Sequence, residues 1–205
     1  MNKKTAMRQL KMMQSGVREM RLAAEGWREE WMTLVAILMS ARTRDETTVV
    51  VATKLFEKYK TPSALAGGSA AEVAKIIHPV NFFQNKTKYV IACAQMLALK
   101  FAGAPPHDLS QLVLLPGVGR KTANVFLAEY GAPAIGVDTH VAYISHKLGW
   151  TKHKDPHKIE QDLTKLFPQK YWQKLNRTLV RFGKTHMSRR KKDGLLARIA
   201  RGESV

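Results

Sequence analysis

A single cysteine, Cys93, stands among the 205 residues. One thiol cannot close an intramolecular disulfide, nor can it build a thiolate metal site or an iron–sulfur cluster. It lies in an apolar helical stretch and reads as a buried, inert side chain. Acidic residues are also scarce: Asp and Glu number 16 against 34 Lys and Arg, a formal charge of +18. Such an excess is the electrostatic footprint of a chain that meets a polyanion, and nucleic acid is the usual one. Long apolar runs are missing too. The longest, Trp31 to Met39, falls well short of the roughly 20 residues that span a bilayer, so it reads as a core helix and no membrane is expected. Met1 to Arg21 is polar and basic, without a secretory hydrophobic region, which points to the cytoplasm. Strand alternation is absent throughout. The pattern predicts an all-α chain of about ten short helices, without internal repeats, in one domain or two small lobes.

Helical period is what the sequence does contain. Lys3–Met20 is predicted as one basic helix, with Met7, Leu10, Met13, Val17 and Met20 on its buried face. Trp27–Ser40 is more apolar all round and therefore central. Thr47 or Thr48 caps a helix to Tyr59, Thr61-Pro62 opens a short one that ends at Gly67-Gly68, and Ser69 caps the next as far as Ile77. A loop, Asn81 to Asn85, precedes a long helix from Lys86 to Phe101. Asp108 or Ser110 caps a short helix, and Asp138 or Thr139 opens another that ends near Gly149. Asp155-Pro156 begins the next, Phe167-Pro168 ends it, and Gln169–Phe182 follows. From Gly183 onward the tail is a basic run, read as a solvated face that can also touch DNA. Trp27, Trp31, Trp150 and Trp172 are read as core.

The chain is organised around Leu114-Leu115-Pro116-Gly117-Val118-Gly119-Arg120-Lys121-Thr122-Ala123. Pro116 is expected to end one helix and Gly117 and Gly119 to permit φ > 0 in a tight turn. A new helix then runs from about Arg120 to Tyr130 and stops at Gly131. Its bare N-terminus is a ready anion site. Arg120 and Lys121 sit at the end of the helix where the macrodipole disfavours cations, and a bound phosphate would offset that repulsion. Other phosphate-loop readings fail. A Walker A loop needs glycine where Leu114 stands and its lysine directly after Gly119. A dinucleotide fingerprint finds Asp138 about 20 residues on, but Thr122 replaces its third glycine and no βαβ unit surrounds it.

Val137-Asp138-Thr139-His140-Val141 supplies a carboxylate. An aspartate just before a helix is most often an N-cap. Capping also fixes an ionised carboxylate in one orientation, which acid–base or electrostatic catalysis needs. A lysine amine with a carboxylate, in a basic phosphate-binding setting, suggests attack at a sugar carbon through a Schiff base. His153 and His157, with Asp155 between them, invite a zinc reading, but Pro156 interrupts a charged loop and no metal site is assigned. His140 more plausibly supports Asp138 or the helix start than ligates anything.

Taken together, Leu114–Lys121 and Val137–His140 resemble the helix-hairpin-helix and catalytic aspartate segments of the endonuclease III family of DNA glycosylase/AP lyases. Leu34–Thr43 resembles that family's first core helix and following loop, and Phe82-Phe83-Gln84-Asn85-Lys86 its second DNA-probing loop. The order of elements follows the family over roughly residues 30–183. The resemblance implies two helical lobes with a DNA-binding cleft between them. One lobe would span 25–132, and 1–24 with 133–205 would form the other. Lys121 would be the Schiff-base nucleophile and Asp138 its partner. Gly117, Val118, Gly119 and Arg120 would hold the phosphate backbone, with a monovalent cation allowed on the hairpin carbonyls. Arg42, Phe82, Gln84 and His140 would also face DNA. The partner would be double-stranded DNA with a damaged base or an abasic site, met by a monomer associated with the nucleoid. Damaged, chiefly oxidised, pyrimidines would be flipped out before attack.

Three departures from the family pattern stand out. Met187 lies near where the first of four cluster cysteines is expected and no cysteine follows, so no iron–sulfur cluster and no other cofactor is expected. Arg42 stands where a glutamine usually enters the helix beside the orphan base. Phe82 stands where a leucine wedge is common. Arginine can hydrogen-bond a base and phenylalanine can wedge a base step. Arg42 could instead contact a phosphate or a helix end, and Phe82 could pack under its own loop. Two other functions remain in play at this level: a monofunctional, mismatch- or alkylation-specific glycosylase of the same fold, and a helix-hairpin-helix binding module without catalysis.

Overall fold

The structure, a computed structural model, describes residues 1–203. Its helices are α1 (Lys3–Ser15), α2 (Glu30–Ser40), α3 (Asp45–Lys58), α4 (Pro62–Ala66), α5 (Ala70–Ile77), α6 (Phe83–Lys100), α7 (Leu109–Leu112), α8 (Arg120–Glu129), α9 (Thr139–Lys147), α10 (Pro156–Leu166), α11 (Trp172–Thr185) and α12 (Arg189–Arg201), with a 3-10 turn at Gln169–Tyr171. There is no strand among the described residues, as expected for an all-α chain. None of the helices is long and apolar enough to cross a membrane. The chain divides into two compact units, Arg21–Tyr130 and Met1–Met20 together with the chain from Gly131 onward.

In the unit spanning Arg21–Tyr130, α2 is the core. Trp31 and every residue from Thr33 to Met39 are buried, so the helix is enclosed on nearly all sides. It packs against α3, α6 and α8. Trp27 and Trp31 both meet Phe56 edge-on, at 5.0 and 5.1 Å between centroids. The central helix starts at Glu30 rather than Trp27, and two further boundaries differ from the sequence reading. First, α3 starts at Asp45, with Arg44 at the N-cap, because Asp45 and Glu46 suit the positive end of the helix. Thr48 lies inside α3, where its hydroxyl donates to the Arg44 carbonyl at 3.0 Å. Second, α6 begins at Phe83 rather than Lys86, so Phe83, Gln84 and Asn85 form its first turn and only Asn81 and Phe82 precede it.

The second unit is built on α1, α9, α10, α11 and α12. α1 stops at Ser15, because Gly16 caps it, and does not reach Met20. Beyond the cap the chain is tied to α11: the Arg18 N–H donates to Thr185 Oγ1 at 3.0 Å, and a His186 ring nitrogen lies 2.9 Å from the Gly16 carbonyl. Trp150 Nε1 donates to the buried Gln9 Oε1 at 2.7 Å. The basic tail is not simply a solvated run. Ser188 caps α12, which packs on α1 and α9 through the buried Leu196 and Ile199. Tyr143 and Lys147 of α9 both hydrogen-bond the Asp193 carboxylate, which holds its pKa below the ordinary value. Trp150 is buried, and the half-buried Trp172 donates its N–H to the Phe167 carbonyl at 2.8 Å. Leu196 is 1% exposed. Leu196→Ala is expected to lower the unfolding free energy by about 2–4 kcal/mol in urea titration. An unchanged midpoint would mean that α12 does not stabilise this unit.

Candidate active site

α7 is capped by Asp108, whose Oδ1 accepts from the Gln111 N–H at 2.9 Å. It ends at Leu112, ahead of Pro116, and tight turns carry the chain on: Leu115 N–H to the Leu112 carbonyl at 3.1 Å, then Val118 N–H to the Leu115 carbonyl at 3.0 Å. Gly117 has φ +77, and a Cβ built there would lie 2.7 Å from Tyr89 Cβ and 3.0 Å from Leu38 Cδ1. Glycine is therefore required at 117 both for its backbone angle and for the close approach of α6 and α2. Gly119 differs from expectation. Its φ is −87 and it serves as N-cap of α8, so no left-handed angle demands a glycine there. A Cβ at Gly119 would meet nothing within 4 Å. The Val118 side chain is 4% exposed and its N–H is held within the turn. Of the hairpin residues, Gly117 and Gly119 therefore present bare backbone.

The first turn of α8 contains no acidic residue. Arg120 is exposed there and Lys121 is half-buried. Behind them lies a second lysine that the sequence reading passed over. Lys86, on the inner face of α6, is 6% exposed. Its Nζ donates to the Met39 and Ala41 carbonyls, both at 2.6 Å, and to Thr43 Oγ1 at 3.3 Å. These carbonyls belong to the C-terminal end of α2, where orphan acceptors and the negative end of the dipole favour a cation. Burial, and secondarily the charge of Lys121, still push its pKa down from 10.5 to about 8. Its spacing to Val90, Cys93 and Leu97 places it on the buried stripe of α6, and that periodicity was the available signal.

Arg42 and Phe82 are brought together. Both are exposed, both have φ +59, and the Arg42 guanidinium lies over the Phe82 ring at 4.9 Å. Left-handed backbone at two non-glycine residues costs about 1 kcal/mol or more at each, and such outliers cluster at functional sites. Phe82 is 55% exposed, so it does not pack under its own loop. Asn81 joins the two loops: its side-chain amide donates to the Arg42 carbonyl, and its backbone N–H to Thr43 Oγ1 at 3.1 Å. Gln84 is exposed in the first turn of α6.

In the other unit, the buried segment Ile135–Val137 leads into Asp138, the N-cap of α9. Asp138 Oδ1 accepts from the Val141 N–H at 2.8 Å, which fixes the half-buried carboxylate. The His140 ring lies against α11 at Gly183. A Cβ at Gly183 would fall 2.3 Å from His140 Nδ1 and 2.9 Å from His140 Cβ. Glycine at 183 thus sets where His140, and with it the first turn of α9, can sit. Asp155 caps α10 by accepting from the Lys158 N–H at 2.9 Å, and His157 lies 3.3 Å from Gln161. Among the described residues no group of three or more His, Cys, Asp or Glu side chains could hold a metal ion. Cys93 is buried in α6, where burial pushes its thiol up to about 12. With that one thiol and none near Met187, the donor set does not fit a four-thiolate cluster.

Residues 35–169 match the model of the HhH-GPD superfamily base excision DNA repair proteins. Endonuclease III of Thermotoga maritima is 38% identical over 157 residues, 76% of this chain and 74% of that protein. Endonuclease III of Synechocystis sp. is 41% identical over 160 residues, 77% of this chain and 73% of that one. Among solved structures, a trapped endonuclease III–DNA covalent intermediate matches with a TM-score of 0.83 at 32% identity, over 92% of this chain and 89% of that chain.

Two outcomes are expected from this geometry. Gly183→Ala should cost about 1–3 kcal/mol through overpacking. Adding His140→Ala, which removes the ring but keeps the Cβ, should return part of that loss in a double-mutant cycle, whereas additive effects would show that Gly183 and His140 are not coupled. Lys86 gives a pH signature. The folded chain releases this proton at about 8 and the unfolded chain near 10.5, so between those values the unfolded state binds more protons and stability rises with pH. The stability of wild type minus that of Lys86→Met should therefore rise from pH 8 to 10; a constant or falling difference would contradict the lowered pKa.

Proposed function

The chain belongs to the HhH-GPD superfamily of base excision DNA repair proteins, and from that premise we propose that Lys121 and Asp138 are its catalytic pair. It is a DNA glycosylase with AP lyase activity, of the endonuclease III kind. The observation that carries the site assignment is the first turn of α8: a half-buried lysine directly behind a bare glycine hairpin, at a helix N-terminus without an acidic residue. A phosphate oxygen bound to that N-terminus offsets the repulsion between the dipole and Arg120.

In this reading the Lys121 amine attacks C1′ of a flipped-out damaged nucleotide. A C–N bond forms, and the glycosidic bond breaks with its electron pair leaving on the base. The Asp138 carboxylate, with Oδ1 engaged in the cap, offers its second oxygen to take the amine proton or stabilise positive charge on the sugar. Opening of the sugar ring gives the Schiff base. Loss of a C2′ proton then expels the 3′ phosphate, and water hydrolyses the adduct to restore the lysine. Arg42 and Phe82, exposed and stacked, serve as the side chains that enter the duplex, and Gln84 and His140 are further DNA contacts. The Gly117 and Gly119 backbone holds a phosphate, with Val118 as the structural residue between them. Oxidised pyrimidines in duplex DNA are the substrate class, and no step needs a cofactor.

Borohydride trapping on duplexes carrying thymine glycol or an abasic site tests the pair. Wild type should form a covalent adduct with both, Lys121→Ala with neither, and Asp138→Asn should slow the reaction by about 100-fold. An adduct of undiminished yield from Lys121→Ala would remove Lys121 from the assignment.

A further inference from the structure

Lys86 occupies a place that neither the hairpin chemistry nor ordinary core packing explains. Leu or Met would fill the inner face of α6 without dehydrating an ammonium. The lysine instead reaches past the end of α2 into the loop that carries Arg42. Its three acceptors, the Met39 and Ala41 carbonyls and Thr43 Oγ1, lie on both sides of Arg42 in sequence. Thr43 Oγ1 also accepts from the Asn81 N–H, and Asn81 returns a side-chain bond to the Arg42 carbonyl. Phe82 then stands at the N-cap of α6, one turn ahead of Lys86 on the same helix. A continuous chain of hydrogen bonds therefore runs from the Lys86 ammonium through the Arg42 loop to the Asn81-Phe82 loop. It holds two residues at left-handed angles that they would not adopt by preference.

We propose that Lys86 is a positioning residue that locks the Arg42 and Phe82 loops into one rigid probe, so that both side chains enter the duplex together. This rests on the glycosylase reading above. The energetic reason is the cost of ordering. Two loops that close separately lose conformational freedom on binding DNA, whereas loops already pinned do not. The same helix carries Tyr89, one turn beyond Lys86, against Gly117 of the hairpin. The probe and the phosphate-binding turn thus share α6 as a common support.

The experiment uses the full chain and a duplex with 2-aminopurine opposite a tetrahydrofuran site, with stability measured in parallel. Binding of wild type should change the 2-aminopurine fluorescence as the probe separates the bases. Lys86→Met should lose most of that change and cut the saturating lyase rate on duplex abasic DNA by about ten-fold. Its trapping on a single-stranded abasic oligonucleotide, where no duplex must be opened, should fall less than about three-fold. A general packing defect would lower the rates on both substrates equally and would overturn the proposal, as would a fluorescence change in Lys86→Met as large as that of wild type. Thr43→Val keeps the shape and the lysine but removes the bridging hydroxyl, so it reports even if Lys86→Met does not fold. It should lose part of the fluorescence change, and a full response would overturn the proposal. Failure of wild type to trap on either substrate would instead sink the lyase reading, and the fluorescence comparison would still decide the role of Lys86.

Discussion

A buried helix end must find donors for its last carbonyls, and in the Arg21–Tyr130 unit that requirement shapes everything near the candidate site. α2 is enclosed almost completely, so water cannot satisfy its C-terminus. The Lys86 ammonium does so at two carbonyls. To reach them, α6 must begin close to the end of α2, which sets Asn81 and Phe82, the last residues of the connection from α5, beside the Arg42 loop. The Arg42 loop is then confined between the lysine and Asn81. From the same helix, Tyr89 presses on Gly117 so closely that no side chain fits there. One desolvated cation thus fixes the loops on one side and shares its helix with the wall of the hairpin on the other.

The other unit solves a different problem. Endonuclease III resemblance implies a four-cysteine cluster near Met187, and this chain has no thiol there. What the structure provides in that region is α12, with Leu196 and Ile199 buried and Asp193 bonded to both Tyr143 and Lys147. Apolar burial and a shared carboxylate hold the C-terminal segment to α9, the helix that Asp138 caps. Packing of this kind is distributed over several side chains, and no one of them need supply what metal ligation supplies at a point.

How much of this was legible in the sequence depended on whether the deciding physics was local. Thr61-Pro62, Asp155-Pro156 and Gly131 mark boundaries through their own backbone preferences, and those boundaries stand where the sequence puts them. Asp138 is an N-cap for the same reason. The all-α class followed from helical period and the lack of strand alternation. The misses came from tertiary contacts. Arg189, Arg190 and Lys191 are exposed, as a solvated run should be, but the charge pattern does not say that they open a helix held down by Leu196 and Ile199. Gly119 looks like a left-handed turn residue, but the left-handed angle falls at Gly117 alone. Lys86 shares the buried spacing of Val90, Cys93 and Leu97, but nothing in its neighbours says that a helix ends beside it. Gly183 is invisible for the same reason, since only the fold brings His140 against it.

Charge placement on the helices separates ordinary stability from function. α3 follows the rule for an unliganded helix, with Asp45 and Glu46 at its positive end and Lys58 at its negative end. α8 inverts it, opening with Arg120 and Lys121 and no acid. Had folding stability alone chosen those residues, a glutamate at either position would gain several tenths of a kcal/mol from the dipole. The inversion is unfavourable only while the helix N-terminus faces water. Once a phosphate group occupies it, the dipole, the bare glycine backbone and both cations all attract the same anion. On the proposed assignment of Lys121, binding removes that electrostatic cost, and the relief of the repulsion then lies on the DNA-bound side of the equilibrium.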